Sequence, residues 1–240
     1  MTSSVLRIAP RFRGPPNSGN GGYVAGLLAG GLGGSNCVVT LQAPPPLDET
    51  LGLEVAGRGA TLWFGDEQLA TANAVPVSVD VPSPPSLQDA EAAARRFTGF
   101  HKHIFPGCFV CGPERAPADG LRIFTGPLDD GSGRVAAVWT PDEGLAGVDG
   151  HIRDEFIWAA LDCPGYFAVQ DRAGKAVLGR LGVVLHAPVR AGEPIIVTGW
   201  PIASDGRKHT VGTALHAADG TLAAAALGTW VSLKPELQTA

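Results

Sequence analysis

LQAPPPLDETLGLEVAG, at Leu41–Gly57, has a counterpart in LHAPVRAGEPIIVTGW, at Leu185–Trp200. In both stretches an apolar run ends at a proline, a turn follows, and a second run of strand-forming residues begins. A helical pattern precedes each stretch, and a hairpin pattern follows it, GDEQLATANA in the first case and ADGTLAAAALG in the second. Since helix, strand, turn and terminal hairpin come in the same order, the sequence predicts an internal duplication.

The segment between the two copies differs from both in composition. VPSPPSLQDAEAAARRFTGFHKHI, at Val81–Ile104, starts with prolines and continues into an alanine-rich helical pattern from about Ser86 to Phe97. We therefore predict an N-terminal repeat over residues 1–80, a linker with a short helix over 81–105, and a C-terminal repeat over 106–240. One helix wrapped by an antiparallel sheet in each repeat gives an α+β architecture.

Each copy has its own opening elements before the matching strands. The first is predicted to begin with a short strand near Leu6–Phe12 and a helix from Gly21 to about Leu32. The second is predicted to begin with a strand in GLRIF, at Gly120–Phe124, and to have a helix from about Arg153 to Asp162. Pro164, followed by a glycine, should end or kink that helix.

Composition excludes several classes of partner and site. A net charge of −5 with no extended cluster of lysine and arginine argues against nucleic acid or an anionic membrane as partner. No apolar run approaches the roughly 18 to 20 residues of a spanning helix, and the start lacks a signal-peptide pattern, so we expect a cytoplasmic protein. G-x-S-x-G is absent, and Val24 stands where a dinucleotide-binding loop needs its third glycine. A small molecule is the expected partner.

Three segments carry a resemblance to a known family. They are GGYVAGLLAG at Gly21–Gly30, GCFVCGPERAPADGLRIF at Gly107–Phe124, and EFIWAALDCPGYFAV at Glu155–Val169. They resemble hotdog-fold thioesterases, in the double-hotdog form that has two copies in one chain. The resemblance extends from about residue 5 to residue 233 and implies a tandem hotdog that acts on acyl-coenzyme A.

The resemblance also implies a divided active site. In the phenylacetate-pathway type of hotdog thioesterase, the helix opens with His-Gly-Gly, and an aspartate follows nine residues after the histidine. Asn20, Gly21 and Gly22 match the opening, with asparagine in place of histidine, but the acid position holds Ala29. Asp162 matches the acid in the second copy, where Arg153-Asp154-Glu155 replaces the glycine motif. Hotdog active sites form between paired domains, so Gly21 and Gly22 with Asp162 are expected to form one composite site.

These residue types suit thioester hydrolysis. The first amides of a helix have no intrahelical partner, and Gly21 and Gly22 would let a thioester carbonyl approach them. Asn20 would cap the helix or turn toward the substrate or the attacking water. Asp162 would act as general base or as nucleophile, with its pKa raised by apolar surroundings and by a negative helix end. Glu155 lies seven residues earlier on the same helical face, which makes it a second candidate base.

Other interpretations stay open at this point. The carrier of the acyl group could be coenzyme A or an acyl-carrier protein, and association beyond the tandem chain, such as a homodimer, is permitted but not required. A non-catalytic acyl- or acyl-CoA-binding hotdog protein and a hotdog hydratase or dehydratase are the alternatives. We expect no cofactor and no metal, although His101, His103, Cys108 and Cys111 have a spacing that zinc could use. Four cysteines are too few for a disulfide framework.

Overall fold

The computed structural model describes residues 2–234, with eleven strands and four α-helices in that range. The first half contains β1 (Thr2–Leu6), α1 (Gly21–Gly30), β2 (Cys37–Leu41), β3 (Leu51–Ala56), β4 (Gly59–Phe64) and β5 (Glu67–Ala74), and α2 (Leu87–Ala94) lies in the connector. The second half contains β6 (Gly126–Pro127), β7 (Val135–Trp139), α3 (Asp154–Ala160), α4 (Cys163–Ala173), β8 (Ala176–Leu185), β9 (Ile195–Asp205), β10 (Lys208–Ala217) and β11 (Leu222–Ser232).

All the strands form one antiparallel sheet in the order β1-β3-β4-β5-β2-β8-β11-β10-β9-β7-β6. The halves meet where β2 pairs with β8, from Cys37 opposite Val183 to Thr40 opposite Arg180. Outward from that pair, β2-β5-β4-β3-β1 on one side corresponds to β8-β11-β10-β9-β7 on the other. The two halves therefore share one strand topology.

The loops repeat the same correspondence in their hydrogen bonds. Gly19 N–H donates to the Pro45 carbonyl at 2.9 Å, and Ile152 N–H donates to the Val189 carbonyl at 2.8 Å. Isolated bridges pair Ser18 with Pro46 in the first half and residues 151 and 190 in the second. The LQAP and LHAP stretches thus occupy equivalent places, each beside the residue that precedes a helix.

Glycines let α1 pack directly against α3. A Cβ on Gly22 would lie 2.7 Å from the Trp158 carbonyl oxygen, and a Cβ on Gly26 would lie 2.6 Å from the Glu155 Cα. Side chains at these positions would force the helices apart. The Trp158 side chain is fully buried, and its indole N–H donates to the Gly34 carbonyl at 3.2 Å.

The opening strands differ from the prediction. β1 ends at Leu6, whereas Pro10–Phe12 forms a 3-10 turn, because proline has no N–H to continue an edge ladder. The predicted strand in GLRIF does not join the sheet. Its Leu121 and Ile123 N–H groups donate instead to the carbonyls of Phe109 and Val110, at 2.8 and 2.9 Å, which lie in the loop that precedes it.

The predicted helix over 153–162 is broken, and the proline does not end it. α3 stops at Ala160 and α4 starts at Cys163, so Pro164 lies in the first turn of a new helix, where a missing N–H costs nothing. The Thr213 hydroxyl donates to the Leu161 carbonyl at 2.8 Å, which satisfies a backbone group at the break. Among the described residues, no helix is long and apolar enough to cross a bilayer.

Candidate functional site

Asn20 caps α1. Its backbone is extended, and its side-chain Oδ1 accepts the Tyr23 N–H at 2.9 Å, which is the usual geometry of an asparagine N-cap. Only 2% of the residue is exposed. The capping bond fixes the amide so that its NH₂ group is turned toward the second half.

Asp162 receives that amide. Its Oδ2 accepts Asn20 Nδ2 at 2.8 Å and Gly22 N–H at 3.0 Å. The residue is 2% exposed, and its buried Oδ1 has no hydrogen-bond partner within residues 2–234. The structure thus brings Asn20 and Gly22 of one half together with Asp162 of the other, and leaves one carboxyl oxygen uncommitted.

Burial raises the pKa of Asp162 to about 7. The Gly22 N–H and the Asn20 amide oppose that increase by stabilising the carboxylate, while Cys108 adds to it. The sequence predicted that a negative helix end would also raise this pKa. Asp162 follows the end of α3 but also occupies the N-cap position at the positive end of α4, where its side chain makes no capping bond. Desolvation is therefore the principal cause of the shift.

The two helix-opening glycines do different things. We expected both amides to face a substrate carbonyl, but the Gly22 N–H is already bonded to Asp162. The Gly21 N–H has no partner in the described part of the chain, and Gly21 lines a pocket beside the carboxyl group. Of these two amides, the one of Gly21 has no partner within residues 2–234 and is free for a ligand.

This pocket has a volume of about 210 Å³ and is lined from both halves. Its polar lining includes Asn20, His103, Asp162 and three cysteines, with Ser18 and Gln42 beside them. Its apolar walls include Leu41, Phe105, Tyr166, Leu178 and Trp230. A small polar centre in an apolar pocket is typical of a site for an organic ligand.

Glu155 is not brought to this pocket. Its Oε1 lies 3.4 Å from Arg153 Nη1, and its Cα lies against Gly26 of α1. Counted from the matching helix entrances, Glu155 corresponds to Gly22 of the first half. The seven-residue spacing predicted that Glu155 and Asp162 lie on one helical face. They do not share a helix, because α3 ends at Ala160.

Three cysteines line the pocket, and two of them belong to the set whose spacing zinc could use. The sulfur atoms of Cys108, Cys111 and Cys163 lie within 4.8 Å of one another. Hydrogen bonds from the Cys111 and Cys163 thiols hold the pKa of Cys108 well below its usual range. His101 is exposed and absent from the pocket lining, so the two histidines and two cysteines whose spacing zinc could use do not all meet at this pocket. Sequence reasoning did not include Cys163 in that set, although its place beside Asp162 was a signal.

A second pocket, of about 420 Å³, lies at the equivalent place of the other half. It is lined by the entrance of α3, including Arg153 and Asp154, and by the LHAP stretch. Ala29, which corresponds to Asp162, is buried and does not line it. The second pocket therefore has no counterpart of the amide–carboxylate contact.

The chain is similar in structure to several known proteins. No family model matches the chain, and no curated protein matches it. The tesB protein of Mycobacterium avium subspecies paratuberculosis has a TM-score of 0.65 at 16% identity, with 97% of this chain and 93% of that chain covered. A Thermobifida fusca YX protein described as a thioesterase II has a TM-score of 0.59 at 16% identity, with 98% and 93% covered.

A third structure is named by its fold. It is a conserved protein of unknown function with a hot dog fold from Alicyclobacillus acidocaldarius, with a TM-score of 0.63 at 11% identity and coverage of 97% of this chain and 94% of that chain. These neighbours agree with the resemblance to hotdog thioesterases that the sequence motifs carry. Together with the antiparallel sheet and the helices packed on it, they establish that this chain has the hotdog fold.

Proposed function

We propose that the chain is a tandem hotdog thioesterase, which hydrolyses an acyl thioester at one composite site between its halves. The observation that carries the proposal is the buried Asp162 carboxyl group, held by Asn20 and Gly22 of the opposite half beside a pocket with apolar walls. The shared strand order supports the tandem arrangement, with repeats over 1–80 and 106–240 and a connector over 81–105. The names of two structural neighbours, tesB protein and thioesterase II, favour this reaction class.

In this mechanism Asn20 and Gly22 orient the carboxylate through Oδ2. The unpartnered Oδ1 then acts in one of two ways. As a base, it removes a proton from water, the resulting hydroxide adds to the thioester carbonyl carbon, and the proton returns to the departing thiolate. As a nucleophile, it forms an anhydride with release of the thiolate, and water then hydrolyses the anhydride.

The Gly21 amide supplies the complementary electrostatic contact. Its free N–H, at the positive end of α1, would donate to the carbonyl oxygen as that oxygen gains negative charge. A Cβ at this position would come within 3.0 Å of Leu41 Cδ1, so glycine also keeps the pocket open there. One such donor typically contributes about 10²–10³ in rate.

Apolar walls point to the acyl part of the substrate as the group that enters the pocket. Leu41, Phe105, Leu178 and Trp230 would contact it, while the thiol part extends toward solvent. Coenzyme A and an acyl-carrier protein remain the two carriers to compare. The reaction needs no cofactor, and the cytoplasmic location and an optional homodimer of tandem chains remain predictions.

A thiol-release assay on a panel of acyl-coenzyme A substrates tests the proposal. Asp162→Asn should lower kcat/KM by about 10²–10⁴, because the variant has no base or nucleophile. Glu155→Gln is the matched control and should stay within about twofold, since Glu155 lies outside the pocket. An Asp162→Asn enzyme as active as wild type would exclude the assignment. Substrate binding without thiol release, seen as a thermal shift, would favour the acyl-binding alternative.

A further inference from the structure

We propose that Cys108, Cys111 and Cys163 bind a zinc ion in the wall of the pocket. The inference goes beyond the proposed hydrolysis, which uses none of these sulfur atoms. Cys108 and Cys111 form a C-x-x-C pair, whose spacing is usual for two zinc ligands in one turn. Cys163 joins them from the start of α4, so the set links the loop after the connector to the helix that follows Asp162.

The sulfur positions are close to those of a tetrahedral site. Zn–S bonds of about 2.3 Å place two sulfur ligands about 3.8 Å apart in a tetrahedron. Cys108 Sγ and Cys163 Sγ are 3.8 Å apart, and all three sulfur atoms fall within 4.8 Å. Side-chain rotations that move the sulfur atoms by less than about 1 Å would place them at three corners of the tetrahedron.

A side-chain donor and a tight turn lie next to the Cys108 sulfur. Asn20 Nδ2 lies 3.9 Å from Cys108 Sγ, where an outer-shell donor would lie in a metal–thiolate site. Gly112 allows the tight turn, because a Cβ there would lie 2.5 Å from the Cys108 carbonyl oxygen. Zinc binding would release the remaining thiol protons to solvent.

His103 is not the fourth ligand in its present orientation. Its Nδ1 accepts the Phe105 N–H at 3.0 Å, which places the proton of a neutral ring on Nε2 and leaves no lone pair for a metal. Three thiolates then hold the ion, and the fourth position is left for water or a small ligand from the pocket. Three soft sulfur ligands select zinc over magnesium or calcium.

Metal analysis of the reduced, purified protein, reconstituted with Zn²⁺ and desalted, tests this site. We expect about one zinc per wild-type chain, and at least a tenfold weaker zinc affinity in Cys108→Ser, Cys111→Ser and Cys163→Ser. Cys37→Ser is the matched control, because Cys37 is equally buried but lies on β2 away from the cluster, and it should retain the metal. Asp162→Asn should lose hydrolysis yet keep zinc, which separates this proposal from the proposed function.

A spectroscopic titration keeps the test valid if a serine variant fails to fold. Co²⁺ added to the wild-type protein should give a sulfur-to-metal charge-transfer band, which Zn²⁺ then abolishes. Absence of both zinc and the cobalt band in the reduced wild-type protein would overturn the proposal. Equal loss of zinc in Cys37→Ser would overturn it as well. So would a Cys108–Cys163 disulfide that resists treatment with a reductant.

Discussion

The two pockets lie at equivalent places in the two halves but are lined by different polar residues. Each lies between a helix entrance and a matching strand end, and the Gly19–Pro45 bond of one repeats as the Ile152–Val189 bond of the other. At the first pocket an asparagine cap and two glycines meet an aspartate of the other half. At the second, charged residues open the helix, and Ala29 replaces the acid. Under the proposed function, equivalent positions in the two halves therefore differ in function, because each half supplies one part of a single site.

Among substitutions at the two helix entrances, the largest effect on this comparison is expected from Gly22→Ala. The new Cβ would lie 2.6 Å from Asp162 Cβ and 2.7 Å from the Trp158 carbonyl, so α1 and the carboxyl group must shift. We expect a loss of about 1–3 kcal/mol in unfolding free energy and of about 10²-fold in kcat/KM. Denaturant unfolding and the thiol-release assay measure the two effects.

Gly30→Ala, on the same helix, is the control for that substitution. A Cβ at Gly30 meets nothing within 4 Å, so stability should be unchanged or higher by up to about 1 kcal/mol, with full activity. Normal activity of Gly22→Ala would mean that the close approach of α1 to Asp162 is unimportant to the reaction.

A smaller effect is expected from Asn20→Ala. The variant loses the helix cap and one of the two donors to Asp162, which should cost about 1–2 kcal/mol of stability and about tenfold in kcat/KM. Asn20→Asp separates the two roles, since aspartate caps equally well but places a second carboxyl group beside Asp162. If Asn20→Asp were as active as wild type, Asn20 would serve only as a cap.

The smallest effect is expected in the second pocket. Asp154→Asn changes an acid that lines this pocket, yet kcat/KM should stay within about twofold of wild type. Stability should fall by no more than about 1 kcal/mol, because the acid only complements the first turn of α3. A loss of activity comparable to that of Asp162→Asn would show that both pockets catalyse the reaction.

The resemblance to hotdog thioesterases was sufficient to predict that Gly22 of one half and Asp162 of the other lie together. The direct bonds from the Gly22 N–H and the Asn20 amide to that carboxyl group were not predicted. The sequence was not sufficient to predict the helix break before Asp162, which is supported by the Thr213 hydroxyl from a strand 52 residues away. The separate roles of Gly21 and Gly22 also depend on such distant contacts. Local patterns did predict the second strand-forming runs of the LQAP and LHAP stretches, which form β3 and the start of β9, since apolar runs specify strands.

The bond from Gly22 N–H to Asp162 joins residues 140 positions apart. Contacts of such long sequence separation form late, after the loop-closure entropy between the two parts of the chain has been overcome. Neither half alone holds both partners, so separately produced halves should be inactive and should recover hydrolysis only when recombined. Turnover would then report the docking of the halves, a stage of folding that secondary-structure signals do not detect.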